Sequence, residues 1–279
     1  MTAPRVLLLA LITSSACAPA SAAPTGIDAL LVDVAPGDRL ACSFYWRKSV
    51  SHSHTAEKHV PFDAASGSFA LETFDVDWTV GPSDDGGRVL ALTTMVGDTR
   101  VRSEYDFGSA NAPAHLPRGG HGFTGLRYLT NPSTEAEMQF FCGAYAEDTP
   151  FENGVMSQRT PGKGVEPPAD IACEFTATGP EGKTKTRAFE VQSGDEKRLE
   201  SLGPFVVAVR YDSAGADSGG VVVDVGEPGD EDSMPAVHTL YQLSAPELPA
   251  NTMKGESFTG AQSLEKDGHQ IAYRCWTSK

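Results

Sequence analysis

The chain has 279 residues, with 22 Lys and Arg against 37 Asp and Glu, which gives a formal net charge of −15. This acidic balance argues against nucleic acids and anionic membrane surfaces as partners, because both are bound by basic patches. The length is sufficient for two domains of ordinary size, each with its own hydrophobic core.

Residues 1–22 have the three parts of an export signal. Arg5 supplies a positive charge, residues 6–12 form a short apolar run, and Ala20-Ser21-Ala22 provides the small residues that precede cleavage. The apolar run is too short to span a bilayer, and no later run is long enough, so no transmembrane segment is predicted. The expected location is secreted, either extracellular or periplasmic. Lipid attachment at Cys17 is the alternative.

Two short patterns occur twice along the chain. Residues 40–44 read Leu-Ala-Cys-Ser-Phe, and residues 171–175 read Ile-Ala-Cys-Glu-Phe. The tripeptide Phe-Thr-Gly stands at 123–125 and again at 258–260. We interpret these echoes as one domain present twice.

Four cysteines remain once the export signal is removed, and they fall at matching places in the two copies. Cys42 and Cys142 belong to the first copy, and Cys173 and Cys275 belong to the second. In an oxidising compartment an even set of cysteines pairs. Of the three possible connectivities, the repeat favours Cys42–Cys142 and Cys173–Cys275, one disulfide in each copy.

Each cysteine lies in a run that alternates like a β-strand. Cys42 and Phe44 share one face of such a strand, as do the corresponding residues of the second copy. Strand–turn–strand patterns predict hairpins over 74–96 and 205–225, with Asp, Ser and Gly in the turns. Residues 196–202 are the only short segment in which a helical turn is expected.

With 28 Gly and 19 Pro punctuating short β-type runs, the sequence predicts an all-β fold. We expect two tandem, homologous antiparallel β-sandwich domains of the Ig-like kind. One disulfide between an early and a late strand is expected to staple the two sheets of each sandwich. The predicted organisation is a signal peptide at 1–22, a first domain at 23–150, a linker at 151–169 and a second domain at 170–279.

A histidine cluster follows the first cysteine. His52 and His54 stand two residues apart, which places both imidazoles on one face of a strand, as in zinc and copper sites. His59 is a third ligand if the chain returns across a turn, and His115 and His121 belong to the same copy. The alternative is an exposed polar loop with scattered histidines.

Acidic residues gather in several turns. Carboxylates and backbone carbonyls are the ligands of calcium, but no EF-hand spacing is present, and hairpin turns also require Asp and Gly. Calcium binding and plain turn chemistry are therefore both open. The residues concerned are Asp75, Asp77, Asp84, Asp85, Asp212, Asp217, Asp230, Glu231 and Asp232.

Two tryptophans are candidate ligand contacts. Trp78 lies in the middle of a predicted strand, and Trp276 points to the face opposite that of Cys275. An outward indole on a sandwich is suited to stacking against sugar rings. The alternative is that these indoles cover a contact between domains.

No catalytic signature appears in the sequence: there is no G-x-S-x-G, phosphate loop, dinucleotide fingerprint or HExxH. We therefore favour a secreted or cell-surface, non-catalytic binding protein whose ligand is a protein or a carbohydrate outside the cell. One alternative is a secreted metal-binding protein or metal-dependent enzyme that uses His52, His54 and His59. Another is a structural coat or appendage subunit.

Overall fold

The computed structural model describes residues 38–49, 51–61, 64–82, 87–109, 124–146, 168–213, 220–228, 235–243 and 257–277. The predicted export signal and most of the predicted linker lie outside these ranges. The strands are β1 (Asp38–Arg47), β2 (Ala56–Pro61), β3 (Ser66–Leu71), β4 (Phe74–Pro82), β5 (Gly87–Val96), β6 (Thr99–Ser109), β7 (Leu126–Thr130), β8 (Glu137–Ala146), β9 (Asp170–Thr178), β10 (Thr184–Gln192), β11 (Arg198–Leu202), β12 (Phe205–Asp212), β13 (Gly220–Gly226), β14 (Val237–Gln242), β15 (Ala261–Lys266) and β16 (His269–Thr277).

These strands form two eight-stranded antiparallel sheets. Sheet 1 has the order β11-β12-β13-β14-β7-β8-β1-β2, and sheet 2 has the order β10-β9-β16-β15-β6-β5-β4-β3. Apolar side chains from both sheets belong to one hydrophobic core, as in a β-sandwich. The all-β prediction is confirmed.

Each half of the chain supplies four strands to each sheet. The order β7-β8-β1-β2 of the first half recurs as β15-β16-β9-β10, and β3-β4-β5-β6 recurs as β11-β12-β13-β14. The halves meet where β14 pairs with β7 in sheet 1 and where β6 pairs with β15 in sheet 2. We call these two strand pairs the seam. The sequence predicts one sandwich for each half, whereas the sheets of the structure run through both halves.

Both predicted disulfides are present, Cys42–Cys142 and Cys173–Cys275. All four sulfur-bearing side chains are fully buried. The expectation that they would staple one sheet to the other is wrong, because each pair occupies directly opposed positions on neighbouring strands of one sheet. Each disulfide therefore fixes the first strand of its half beside the last strand of that half.

The threonine of the repeated Phe-Thr-Gly tripeptide has the same role in both halves. The hydroxyl of Thr124 accepts a hydrogen bond from the backbone N–H of Cys142 at 2.8 Å. The hydroxyl of Thr259 does the same for Cys275 at 3.0 Å. The tripeptide is thus tied to the strand that carries the second cysteine of its half.

The glycine of the tripeptide lets the chain approach the opposite half at the seam. Gly125 and Gly260 have φ angles of +67° and +66°, in the left-handed region that favours glycine. A Cβ atom at Gly125 would lie 2.7 Å from the carbonyl oxygen of Leu240, which belongs to the second half. A Cβ at Gly260 would overlap the carbonyl oxygen of Glu104 in the first half.

The predicted hairpins at 74–96 and 205–225 are confirmed as β4–β5 and β12–β13. The helical turn expected at 196–202 is wrong, since Arg198–Leu202 forms edge strand β11 against β12. The segment is too short for a stable helix by itself, and pairing with β12 satisfies its backbone groups. Among the described residues, no helix is long and apolar enough to cross a membrane.

Candidate functional site

Five side chains of alternating polar and aromatic character form a row across the outer face of sheet 1. They occupy successive register positions on β1, β8, β7, β14 and β13. The row consists of Tyr45, Gln139, Tyr128, His238 and Asp224, and we call it the outer stripe. Three of its members come from the first half and two from the second, so the row exists because β14 pairs with β7.

The connection between β1 and β2 brings two of the predicted histidines to one end of the stripe. The His54 ring lies 5.5 Å from the Tyr45 ring and is hydrogen-bonded to Gln139. His59, on β2, approaches the same tyrosine edge-on at 6.2 Å, and its Nδ1 lies 2.9 Å from the Ser43 hydroxyl. His54 and His59 are therefore neighbours of one aromatic ring.

Several of the ring groups on this face keep a neutral form. Burial and, next, the charge of Arg47 lower the pKa of His54 below its ordinary value, against the opposing effect of the hydrogen bond to Gln139. Burial raises the pKa of Tyr128, with Glu137 adding to the effect. Burial also raises the pKa of Tyr45. At neutral pH these three rings act as uncharged donors and acceptors.

A buried ion pair lies beside the stripe, two residues along β1 and β8. Arg47 contacts a single oxygen of Glu137 from both Nε, at 2.7 Å, and Nη2, at 2.5 Å. The Glu137 side chain is 1% exposed and that of Arg47 is 21% exposed. Burial raises the pKa of Glu137, and the opposing effects of Arg47 and His238 are smaller.

The other end of the stripe is an aspartate that contacts an imidazole and a lysine. Asp224 Oδ1 lies 2.6 Å from His238 Nδ1, and its Oδ2 lies 2.9 Å from Lys197 Nζ. Burial by itself raises the pKa of Asp224, but the hydrogen bonds from His238 and Lys197 outweigh burial and leave the pKa below its ordinary value. The His238 ring stands edge-on to Tyr128 at 5.4 Å. Asp224 thus fixes the orientation of an imidazole that is itself partly exposed.

The corresponding row of sheet 2 has a different chemistry. The same strand order and register place one counterpart opposite each stripe residue on β9, β16, β15, β6 and β5. These counterparts are Thr176, Ala272, Ser263, Arg102 and Thr93. Aromatic and acidic residues of the stripe are replaced by small or hydroxyl-bearing residues and one arginine. The outer faces of the two sheets are therefore equivalent in backbone and unequal in side chains.

The structure does not gather the predicted metal ligands into one group. His52 is exposed, with its Nδ1 2.7 Å from the Ser49 hydroxyl, while His54 and His59 contact Tyr45. Within the described ranges, no three His, Cys, Asp or Glu side chains are placed to hold a metal ion. His115 and His121 lie outside those ranges, and a zinc or copper site stays a prediction.

The acidic turns are only partly described. Asp75 and Asp77 lie on the exposed face of β4, and Asp212 ends β12. Calcium binding at the acidic turns stays a prediction. The remaining members of the set fall outside the described residues; they are Asp84, Asp85, Asp217, Asp230, Glu231 and Asp232.

The two candidate tryptophans lie in different surroundings. Trp78 is 6% exposed in the core, with its indole directly over Gly67 on β3, so its ring faces are covered. Trp276 is half-buried on the outer face of sheet 2, opposite Ala172. A sugar-stacking role is therefore unsuited to Trp78 and stays a prediction for Trp276.

An open depression of about 330 Å³ lies at one end of the second half, between the β11–β12 and β15–β16 turns. Lys266 lines it and is paired with Glu227 and, at 3.9 Å, with Asp98 of the first half. The cationic group in this depression, the Lys266 ammonium, is therefore already paired with two carboxylates. We therefore place the candidate site on the outer stripe.

Sequence reasoning did not identify Gln139, Tyr128, His238 or Asp224 as site residues. Local alternation assigns each of them to the outward face of a strand, which is the available signal. Their convergence depends on the β7–β14 pairing, which joins residues more than a hundred positions apart. No protein-family model, curated protein or solved structure matches the chain.

Proposed function

We propose that this is an exported, non-catalytic binding protein whose outer stripe holds a neutral carbohydrate. The observation that carries the proposal is the contrast between the two outer faces. Aromatic side chains are concentrated on sheet 1, and the equivalent positions of sheet 2 carry small or hydroxyl-bearing residues and one arginine, without an aromatic ring. Duplicated positions that differ in this way mark the face where function has been added.

The chemistry of the stripe supports a sugar ligand. Tyr128 and His238 present partly exposed rings to solvent, and an aromatic face is suited to the apolar face of a pyranose ring. Gln139 lies between the tyrosines and offers both a donor and an acceptor. Neighbouring strands are about 4.8 Å apart, so the partly exposed members from Gln139 to His238 span roughly 10 Å, enough for a short oligosaccharide laid across the strands.

A neutral ligand fits the charges better than an ionic one. Two charged pairs on this face neutralise each other, Arg47 with Glu137 and Lys197 with Asp224. The net charge of −15 disfavours anionic ligands. Hydroxyl groups of a sugar require only the uncharged donors and acceptors that the stripe provides.

The proposal includes duplication and export. The recurrence of strand order, disulfide position and Phe-Thr-Gly geometry supports an origin of residues 23–150 and 170–279 as two homologous, Ig-like copies joined by 151–169. Two buried disulfides fit an oxidising compartment, and the composition of residues 1–22 supports an export signal.

The test is affinity electrophoresis of the purified mature protein in gels that contain a neutral soluble polysaccharide. A mixed-linkage β-glucan, a xylan, a galactomannan and amylopectin form the panel. We expect retardation by at least one of them. Tyr128→Ala and His238→Ala are expected to weaken that affinity by at least about tenfold, because each removes a central ring contact.

The equivalent positions of sheet 2 supply matched controls. Ser263→Ala and Arg102→Ala change the counterparts of Tyr128 and His238 and should leave retardation unchanged. If no polysaccharide in the panel retards the protein, the carbohydrate proposal is contradicted. If reducing ends are released and Tyr128→Ala abolishes the release, the protein is an enzyme and the non-catalytic part is wrong.

A further inference from the structure

Arg127 is a buried cation at the seam whose partners are all neutral. It points inward from β7 and is 1% exposed. Its Nη1 donates to the Ser103 hydroxyl at 2.6 Å and to the side-chain oxygen of Gln262, and its guanidinium lies 5.8 Å from the centre of the Phe140 ring. Among the described residues, no carboxylate forms an ion pair with it. A buried charge with no counter-charge is costly.

Gln262 is held so that only its oxygen faces Arg127. Its amide nitrogen donates to the Thr259 carbonyl at 2.5 Å and to the Tyr105 hydroxyl at 3.3 Å. Both amide donors are therefore used, and the oxygen is directed to the guanidinium. This oxygen contributes a dipole but no negative charge, so none of the described residues compensates the charge of Arg127.

Within the described part of the chain, four buried polar atoms around the guanidinium have no hydrogen-bond partner. Arg127 Nε, the Thr239 hydroxyl, the Tyr241 hydroxyl and the Tyr273 hydroxyl are all inaccessible to solvent. Thr239 stands opposite Arg127 in the β7–β14 pair, and Tyr241 is two residues along the same face of β14. The Tyr273 hydroxyl is a neighbour of the hydroxyls of both Tyr241 and Thr239, and neither contact has the geometry of a hydrogen bond.

All four atoms are donors at physiological pH. Burial raises the pKa of Tyr241 and of Tyr273, so both phenols keep their protons. Burial by itself lowers the pKa of Arg127, but the surrounding tyrosines outweigh it and raise the pKa above its ordinary value. The cluster therefore contains one positive charge and four donors, and the described residues supply no negative charge to match the guanidinium.

We propose that this cluster binds a small monovalent anion, with chloride as the ligand, between Arg127 Nε and the hydroxyl groups of Thr239, Tyr241 and Tyr273. A chloride ion accepts hydrogen bonds from several donors at once and also neutralises the guanidinium. A water molecule accepts only two and leaves the charge in place. Because Arg127 belongs to the first half and the three hydroxyls to the second, the bound anion bridges the halves at the seam.

The experiment is a halide titration of thermal stability at constant ionic strength, with sodium chloride replaced by sodium gluconate. Chloride above its Kd should raise Tm by roughly 3–5 °C for each tenfold increase in concentration, because it binds the folded state alone. Diffraction from crystals soaked in sodium bromide should give an anomalous peak beside Arg127. Equal melting curves in the two salts, or bromide peaks only elsewhere, would overturn the proposal.

Two variants separate the anion from the fold. Arg127→Met should abolish the chloride dependence, and Arg102→Met, on the outer face of sheet 2, should retain it. If Arg127→Met does not fold, Tyr273→Phe keeps the ring and removes one donor, since its counterpart in the first half is Phe140. Tyr273→Phe is expected to weaken chloride binding roughly tenfold, and an unchanged chloride dependence in that variant would contradict the assignment.

Discussion

The outer faces of the two sheets share a backbone plan and differ in chemistry. Each face is crossed by a row at the same register, but sheet 1 carries Tyr128 and His238 where sheet 2 carries Ser263 and Arg102. Two inward features, by contrast, repeat: both halves have a buried disulfide and a Phe-Thr-Gly junction. This difference indicates that inward residues preserve the shared backbone arrangement of the two halves. Outward residues can then change and acquire a binding function.

The largest expected loss of stability comes from removing a disulfide, and it tests whether the two disulfides stabilise their halves equally. Replacement of both cysteines of one disulfide by alanine should cost about 4 kcal/mol of unfolding free energy, since the closed loops have sequence separations of 100 and 102 residues. The two double variants, Cys42→Ala/Cys142→Ala and Cys173→Ala/Cys275→Ala, should lose similar amounts in guanidinium titrations. A loss confined to one half would contradict the equivalence of the frames.

The next effect concerns the seam that joins the halves. Gly125→Ala should destabilise the protein by about 3 kcal/mol, because the new Cβ meets the Leu240 carbonyl at 2.7 Å and the φ angle is +67°. Gly182→Ala is the matched control: its φ is +75° and nothing lies within 4 Å, so about 1 kcal/mol is expected from backbone strain alone. Equal losses in urea denaturation would show that the close approach of the halves is unimportant.

Two arginine–glutamate pairs sharpen the comparison of the faces. Arg47–Glu137 on sheet 1 and Arg102–Glu104 on sheet 2 both have an Nη2–Oε1 distance of 2.5 Å. Glu137 is 1% exposed, whereas Glu104 is 40% exposed. Arg47→Met should cost about 2 kcal/mol at pH 7, because it leaves a buried carboxylate without its cation.

Arg102→Met should cost under about 0.5 kcal/mol, since exposed pairs contribute little. Chemical denaturation of both variants at pH 7 measures the difference. The loss in Arg47→Met should shrink on acidification, because a protonated Glu137 needs no cation. Equal losses for the two variants would contradict the assignment of Glu137 as a buried charge.

The smallest stability effect is the pH dependence contributed by Asp224. Its folded-state pKa lies below the unfolded value, so its stabilisation is fully present above about pH 4 and is lost as the pH falls through the lowered folded pKa. Asp224→Asn should therefore cost about 1–2 kcal/mol at pH 7, and this cost should vanish in acid. Thr93→Ala, at the equivalent position of sheet 2, should show no such pH dependence. A cost in Asp224→Asn that is the same at pH 3 and pH 7 would contradict the Asp224 assignment.

The sequence predicts what depends on local pattern. Alternation around Cys42 and Cys275 places both on inward faces, and the repeat predicts the disulfide pairing. Pairing between distant strands leaves no local trace, so the shared sheets and the disulfides within a single sheet were not predicted. The helical turn predicted at 196–202 is wrong for a related reason, because pairing with strand β12 decides the conformation of Arg198–Leu202.

In the candidate site, too, local sequence pattern predicts some residues, and the pairing of distant strands determines the others. His54 and His59 were identified from their spacing, and the structure brings them to Tyr45 at one end of the stripe. Tyr128 and His238 were missed, since they meet only where the first half pairs with the second. Arg127 was missed as well, because nothing in its neighbourhood in the sequence indicates that a charged residue would be buried at the seam.

The most direct measurement exchanges the two faces. The triple variant Gln139→Ala/Tyr128→Ser/His238→Arg installs the residues of sheet 2 on sheet 1, and its affinity for the retained polysaccharide is compared with that of Ala272→Gln/Arg102→His. We predict that the first variant loses at least about 100-fold in affinity while remaining folded, and that the second binds normally. Unchanged binding by the first variant would contradict the assignment of the outer stripe as the ligand-binding surface.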